Sequence, residues 1–400
     1  SRACVTGNSC VGNKASGIRL ISCESSNLSD NNCSDNLQNG IELQRDSACP
    51  DAPSRARITG NACHKNQQSG ISLYSSDSDE ISGNTCFANL RSGIALQRDS
   101  DSSKDPSRAR VQDNLCHHNQ QSGIILYSSE SDEISGNTCS ANLYSGIVLQ
   151  RAVGPDAPSR AAITGNVSCL NGQGGIVLSS SESESIGGNA CWGNKGPGIA
   201  LQRNLETPHA SARARIVGNT CHENEDSGIS LNSSDSDDLS SNACWSNGGS
   251  GIRLGRDEAI SDAPSRARIT GNICHQNKVS GISLRSSMSV DLSANICWGN
   301  GGPGIGLSRD SVSPGAPSRA RITANFSMEH ANVGILLDSS ESNELSGNMC
   351  WDNRYSGIQV SSNAKYPDDP PRAYVIGNLL QENLRGIVVS GGTGTYSRNR

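Results

Sequence analysis

The chain repeats a short motif in which isoleucine and then leucine or valine alternate with a variable residue. The motif reads Gly-Ile-x-Leu or Gly-Ile-x-Val. A period of two is typical of a β-strand with one buried face, whereas a helical repeat would show a period of 3.6. Each motif therefore predicts one short strand. The motif glycines are Gly17, Gly40, Gly70, Gly93, Gly123, Gly146, Gly175, Gly198, Gly228, Gly251, Gly281, Gly304, Gly334, Gly357 and Gly386.

The spacing of these glycines predicts the architecture. It alternates between 23 residues and 29 or 30 residues, so the repeating unit has 53 residues and contains two coils. Such arrays stack their repeats into one continuous core. The hexapeptide repeats typical of left-handed β-helices are absent. We therefore predict an all-β fold, a right-handed, single-stranded parallel β-helix of about 15 coils.

A second element, Asn-x-Cys-x-x-Asn, precedes most of the motif glycines by seven residues, as in Asn61, Cys63 and Asn66. Stacking of equivalent residues predicts an inward column of cysteines and ladders of asparagine amides at the turns. Thirteen of the sixteen cysteines are predicted in the column: Cys10, Cys33, Cys63, Cys86, Cys116, Cys139, Cys169, Cys191, Cys221, Cys244, Cys274, Cys297 and Cys350.

These repeats resemble the right-handed β-helix repeats of pectate-lyase-like proteins, in particular the NosD-like and microbial surface-protein group. Representative segments are Ser69–Leu73 and Ile81–Cys86, and the resemblance covers essentially the whole chain. It implies the fold and a location that is extracellular, at the cell surface or periplasmic. It says little about function, because lyases, epimerases, tailspikes, adhesins and surface-layer proteins share the fold.

Composition and charge exclude some classes of partner. The net charge is −6, which gives no bulk attraction to nucleic acid. No segment approaches the ~20 apolar residues of a membrane span. The first eight residues match Ser54–Asn61, so the chain starts in mid-repeat. We expect one solenoid domain over residues 1–400, excised from a longer protein.

Residues added between coils are charged. Acidic segments such as Tyr74–Glu80 follow one motif, and longer basic loops such as Gln97–Arg110 follow the next. We predict acidic turns and basic loops that pair across coils, worth about 0.2–1 kcal/mol for each exposed pair. The alternatives are calcium at the acidic turns or a lateral assembly surface. Asp-x-Asp without a coordinating glycine loop is weak evidence for calcium.

The cysteines are interpreted as small buried hydrophobes. A column binding copper(I) is the alternative, although no Cys-x-x-Cys pair supports metal ligation. No cofactor is therefore predicted, calcium excepted. Cys4, Cys23 and Cys49 lie off the column, and one pair among them is a candidate disulfide.

The residue after each column cysteine should point outward. From the first coil onward it is Val11, Ser34, His64, Phe87, His117, Ser140, Leu170, Trp192, His222, Trp245, His275, Trp298, Glu329 and Trp351, which includes all four tryptophans. We predict that Trp192, His222, Trp245, His275, Trp298 and Trp351 form a polysaccharide-binding ladder. In the alternative interpretation the rings pack on one another and merely cover the helix.

Catalysis on this fold needs a cluster that breaks the repeat. The clearest departures are Phe326–Val333 and Lys365–Asp369, and neither supplies a recognisable set of acid and base. We therefore predict no catalytic residue. The predicted function is a structural or scaffold β-helix that binds polysaccharide or neighbouring copies of itself. The alternative is a polysaccharide lyase or uronan epimerase.

Overall fold

A computed structural model describes residues 3–46, 54–98, 105–151, 158–204, 206–207, 209–256, 263–309, 317–362 and 370–400. Cys49 and the segment Lys365–Asp369 lie outside these ranges. The chain divides into two compact units, Ser1–Ala190 (unit 1) and Cys191–Arg400 (unit 2). Each unit is described by itself below. The single domain over residues 1–400 and the longer parent protein stay predictions.

Unit 1 is a right-handed parallel β-helix with three parallel sheets, here called A, B and C. Sheet A contains Ala3–Thr6, Ser25–Ser29, Ile58–Thr59, Asp77–Ser82, Arg108–Gln112, Glu130–Ser135, Arg160–Thr164 and Glu182–Gly187. Sheet B contains Ser9–Val11, Asn32–Ser34, Ala62–His64, Thr85–Phe87, Leu115–His117, Thr138–Ser140 and Val167–Cys169. Sheet C contains Ile18–Ile21, Ile41–Gln44, Ile71–Tyr74, Ile94–Gln97, Ile124–Tyr127, Ile147–Gln150 and Ile176–Ser179.

Unit 2 has the same construction. Sheet A contains Arg213–Val217, Asp235–Ser240, Arg266–Thr270, Met288–Ser293, Arg319–Thr323, Glu341–Ser346, Arg372–Ile376 and Thr393–Ser397. Sheet B contains Ala190–Trp192, which begins at the last residue of unit 1, and then Thr220–His222, Ala243–Trp245, Ile273–His275, Ile296–Trp298, Phe326–Met328, Met349–Trp351 and Leu379–Gln381. Sheet C contains Ile199–Gln202, Ile229–Asn232, Ile252–Gly255, Ile282–Arg285, Ile305–Ser308, Ile335–Asp338, Ser356–Ser361 and Arg385–Ser390.

The predicted coils are confirmed, since each motif glycine directly precedes a strand of sheet C or, at Gly357 and Gly386, is the second residue of one. The isoleucine and leucine of the motif face the core, and Ile229 and Leu231 are fully buried. The glycine itself is required by close packing between coils. A Cβ atom at Gly228 would lie 2.7 Å from the carbonyl oxygen of Gly251, which is closer than carbon and oxygen atoms can approach.

The outer face of sheet C is less exposed than the alternation predicts. Ala95, Ile125 and Val148 occupy the variable position of the motif, yet all three are buried. They stack in register and form an outer apolar cluster, against which Tyr127 and Val177 pack. In these coils both faces of the strand are therefore covered.

Sheet A corrects the prediction of acidic turns and basic loop ends. Asp77–Ser82 is a strand, and it pairs in parallel with Arg108–Gln112 at the end of the next long loop. Ile81 and Val111 face the core, fully buried, which explains why these polar segments are strands. The acidic and basic side chains thus lie on the outer face of a sheet.

The predicted asparagine ladders are present and fully hydrogen-bonded. The Nδ2 atom of Asn242 donates to Oδ1 of Asn272 at 3.0 Å and to the carbonyl oxygen of Ile216 at 2.9 Å. The Oδ1 atom of Asn242 accepts two hydrogen bonds from Asn219, one from its Nδ2 atom at 3.0 Å and one from its backbone N–H at 2.9 Å. Each buried amide is therefore paired along the axis, which removes the cost of burying it.

One ladder position in unit 2 is occupied by His330, within the segment Phe326–Val333 that departs from the repeat. The backbone N–H of Asn300 donates to Nδ1 of His330 at 3.1 Å, so the imidazole replaces an amide as acceptor. His330 is 1% exposed. Burial lowers its pKa to about 4, because a charged imidazolium would be desolvated there.

Candidate functional site: an aromatic ladder and a charged face

In unit 2, five of the six predicted ligand-binding residues form one continuous stack of rings, here called the aromatic ladder. The ring centroids of Trp192 and His222 lie 6.1 Å apart, and those of His222 and Trp245 lie 4.6 Å apart. Trp245 and His275 follow at 5.7 Å, and His275 and Trp298 at 4.0 Å. Interplanar angles are between 4° and 8°. The ladder arises because parallel in-register strands place His222, Trp245, His275 and Trp298 directly opposite one another.

The sixth predicted residue, Trp351, is separated from this stack. Met328 lies between Trp298 and Trp351 in the register of sheet B, and Gln381 lies on the far side. Met328 occupies the position assigned to Glu329 from the sequence, because Ser327 replaces the column cysteine. The column residue lies seven residues before the motif glycine, so the position of Gly334 already indicates Ser327 in the sequence.

Unit 1 contains a shorter stack. His64 and Phe87 lie 4.6 Å apart and Phe87 and His117 lie 5.1 Å apart, with nearly parallel planes. It ends at Ser140, whose partner is Cys169 and not the predicted Leu170. Ser168 takes the column position, as the spacing before Gly175 indicates. Cys169 therefore does not belong to the column, although it is buried.

The stacking decides which ring surfaces are accessible. The faces of His222, Trp245 and His275 are each covered by a ring on both sides, so solvent reaches mainly the outer edges of these rings. The pKa of His275 lies below its usual range, because partial burial disfavours the imidazolium. At this position the stack is therefore neutral at pH 7. A ligand would meet ring edges and not open ring faces, and the Nδ1 atoms of His222 and His275 are themselves buried.

The outer face of sheet A alternates rows of arginine with rows of carboxylates. In unit 1, Arg108 pairs with Glu130 at 3.0 Å and Arg160 with Glu182 at 3.0 Å. In unit 2, Arg319 pairs with Glu341 at 2.8 Å, and this arginine is about half exposed. The geometry agrees with the prediction of pairing between coils. The exposure means that each pair contributes little to stability.

The thiols of the cysteine columns differ in pKa from coil to coil, since hydrogen bonds from neighbouring thiols lower the pKa of Cys63 and of Cys116. None of the fifteen cysteines that the structure describes is in a disulfide, including Cys4 and Cys23. The Cys191 thiol donates a hydrogen bond to Cys221, and this bond and burial both raise the pKa of Cys191, so it stays protonated and is a poor metal ligand. Over the described ranges, no group of three or more His, Cys, Asp or Glu side chains could hold a metal ion.

No helix in the described part of the chain is long and apolar enough to cross a membrane. The strands, their parallel register and the stacked side chains define a parallel β-helix solenoid protein. A family model described as "Periplasmic copper-binding protein (NosD)" matches residues 44–195, 155–262 and 255–397. The chain belongs to this family. That description agrees with the predicted location outside the cytoplasm.

No curated protein matches closely enough to count as a relative. Among solved structures, the A-module of Azotobacter vinelandii mannuronan C-5 epimerase AlgE6 is 14% identical, covering 97% of this chain and 90% of that chain with a TM-score of 0.42. The periplasmic alginate epimerase AlgG is 15% identical, with coverages of 83% and 72% and a TM-score of 0.38. Pectate lyase Pel9A is 13% identical, with coverages of 66% and 68% and a TM-score of 0.42. Sequence identities and TM-scores as low as these carry no information about the chemistry of this chain.

Proposed function

We propose that the chain is a non-catalytic structural protein of the periplasm that binds an extended polysaccharide along the outer edge of the aromatic ladder. The observation that carries the proposal is the continuous stack from Trp192 to Trp298, with planes within 8° of parallel. Neighbouring rings fix one another, so their outer edges form a rigid row. Trp351 extends this row beyond Met328.

The match to a polymer follows from the coil spacing. Equivalent residues on alternate coils lie about 9.6 Å apart, twice the spacing between strands. This is near the length of two sugar units, so a polysaccharide parallel to the axis would meet equivalent edges repeatedly. Many weak contacts on one chain add up through effective concentration. Long polymers should therefore bind far more tightly than short oligosaccharides.

The proposal includes no cofactor. The family description names copper, but the described residues contain no group of three or more His, Cys, Asp or Glu side chains that could hold it, and no step is assigned to the metal. The carboxylates of sheet A face arginines, as at Glu341, which gives calcium strong competitors there. Calcium at the acidic strands stays a prediction, which a titration with the metal alone would test.

Intrinsic fluorescence tests the proposed binding directly, because all four tryptophans lie on this row of unit 2. Titration with uronate, mannan and glucan polymers should shift the emission for at least one class. Trp245→Ala should weaken that binding. Phe87→Ala is the matched control, since it breaks the same kind of stack in unit 1 and leaves every tryptophan in place. Emission unchanged by every polymer would refute the proposal.

The same mixtures test the non-catalytic part of the proposal. Each polymer is incubated with the protein and analysed for new unsaturated ends and for altered uronate stereochemistry. We expect neither. Either product, formed by the wild-type chain and at the same rate by Trp245→Ala, would show that the chain is a lyase or an epimerase acting at another site.

A further inference from the structure

The charged face of sheet A follows a pairing rule over most described strands of unit 2, and the strand Met288–Ser293 interrupts it between two Arg-x-Arg strands. Arginines occupy alternate positions of one strand, as in Arg319 and Arg321, and carboxylates occupy the matching positions of the next strand. Arg319 pairs with Glu341 at 2.8 Å, and Arg321 pairs with Glu344 at 2.7 Å. Arg215 pairs with Asp238 at 3.3 Å in the same way. An Arg-x-Arg strand thus recognises a neighbouring extended segment with carboxylates at intervals.

The strand Met288–Ser293 breaks this rule. Met288 and Val290 stand where the equivalent strand of the preceding repeat has Asp235 and Asp237. Val290 is 75% exposed, the highest value among the exposed large hydrophobic residues. An apolar side chain so accessible in a row of charges marks a surface that differs in kind from the rest of the face.

The interruption removes the carboxylate that the repeat position of Arg266 predicts, whereas Arg268 keeps Asp291 opposite it in the register. Arg266 lies opposite Met288 in the register, and both arginines are exposed. In the described part of unit 2, neither guanidinium is within 4.0 Å of a carboxylate oxygen. Asp235 lies on the other side of Arg266, where it also faces Arg213. The two guanidinium groups therefore keep donors available for a ligand.

These residues surround a cleft of about 510 Å³. One wall carries Arg266 and Arg268, and Met288 and Val290 form the apolar side. Arg213, Asp235 and Asp237 line the far side of Arg266, so the cationic part of the cleft borders the apolar part. A second cleft of about 460 Å³ adjoins the same two apolar residues on the side of Arg319 and Arg321. The surface thus combines free cationic donors with apolar contact area.

We propose that this surface binds an acidic segment of a partner protein, extended along the strand direction, with carboxylates at alternate residues. Alternate residues of an extended chain lie about 6.7 Å apart, which is also the spacing of Arg266 and Arg268 along their strand. The segment supplies carboxylates at alternate residues, which the strand lacks because Met288 and Val290 occupy those positions. Its apolar atoms cover Val290. The site lies on sheet A, whereas the proposed polysaccharide row lies on sheet B.

A peptide with the sequence of Tyr74–Glu80 is a suitable probe, because it carries the acidic pattern found in the acidic strands of this fold. Its fluorescently labelled form is titrated with the full chain at low ionic strength, where screening is weak. A matched peptide has Asn and Gln in place of Asp77, Asp79 and Glu80. We expect the acidic peptide to bind and the amide peptide not to bind.

Three double variants locate the site, and each makes the net charge more negative by two. Arg266→Ala with Arg268→Ala removes the donors, and Met288→Asp with Val290→Asp restores the chain's own acidic row. Each should weaken peptide binding about tenfold, as expected for two exposed charge pairs. Arg108→Ala with Arg110→Ala, on sheet A of unit 1, is the control and should leave binding unchanged.

Several outcomes would overturn the proposal. Equal weakening in all three variants would show an effect of overall charge, and equal binding of the amide peptide would exclude carboxylate recognition. Sedimentation adds a further criterion. If the wild-type chain associates with itself and Arg266→Ala with Arg268→Ala abolishes this, the occupant is a second copy. Circular dichroism checks the fold, and because both arginines are exposed we expect that variant to fold normally.

Discussion

The imidazole of His275 lies flat against the indole of Trp298, with ring centroids 4.0 Å apart and planes 6° apart. Its other face meets Trp245 at 5.7 Å. A ring covered on both faces has no face left for a sugar, so the interior rings of the ladder first of all hold neighbouring coils together. The polysaccharide proposed above can use only the edges that this packing leaves accessible.

Trp245→Ala removes two of these ring contacts. Aromatic pairs contribute about 0.5–1.5 kcal/mol each beyond the area they bury, so the loss should be about 1–3 kcal/mol and lower the melting temperature. Trp351→Ala is the control, since Trp351 lies between Met328 and Gln381 and not between rings. Equal losses of melting temperature in the two variants would contradict a stabilising role of the stack.

Most of the fold could be predicted because the repeat places equivalent residues in register. The glycine spacing gave the coils, and the Asn-x-Cys-x-x-Asn element gave both the ladders and the column. The third sheet was missed, because segments such as Asp77–Ser82 are dominated by serine and acidic residues typical of turns. Only Ile81 points to burial, and one apolar residue is too weak a signal for a strand.

The sequence predicted which residues form the candidate site, but not how their rings are oriented. Register alone placed His222 beside Trp245, yet side-chain rotamers decide whether rings lie side by side or face to face. The interruption at Met288 and Val290 is visible in the sequence as a missing acidic pair. Its meaning depends on the strand of sheet A that brings Arg266 next to it.

The cysteine columns should contain thiols. Residues opposite one another in parallel neighbouring strands lie about 4.8 Å apart, whereas a relaxed disulfide needs Cβ atoms about 3.8 Å apart. Titration of the unfolded, unreduced protein should therefore find at least twelve thiols, one for each cysteine that the structure places in the columns. The fully reduced protein serves as the reference. If most column cysteines are oxidised, the columns are covalent staples and the prediction fails.

Asn242→Asp tests the amide ladder with the loss of a single donor group. The carboxylate cannot donate to Oδ1 of Asn272 or to the carbonyl oxygen of Ile216, although Oδ1 of Asn272 keeps the backbone N–H of residue 242 at 3.0 Å. The lost bond to Ile216 costs about 1–3 kcal/mol and the lost bond to Asn272 about 0.5–1.5 kcal/mol, which predicts a loss of about 1.5–4.5 kcal/mol by chemical or thermal unfolding. Asn343→Asp makes the same chemical change at an exposed position and should have little effect. A small loss at Asn242 would mean that water replaces the ladder bonds.

His330 should make the stability of unit 2 depend on pH. Its pKa is lowered to about 4 in the folded chain, whereas an exposed histidine titrates near 6.5. Between these values the unfolded chain binds the extra proton, so stability is complete above about pH 6.5 and falls as the pH decreases toward 4. The difference corresponds to about 3 kcal/mol.

His330→Asn places in this ladder the amide that Asn300 and Asn353 have at the equivalent positions. It should remove the histidine contribution to the pH dependence, because asparagine does not titrate. His209→Asn is the control and changes a histidine that lies outside the ladders. Unfolding is followed at several values between pH 4 and 7, at constant ionic strength. If His330→Asn loses stability with decreasing pH as steeply as the wild-type chain does, the buried imidazole is not the group responsible.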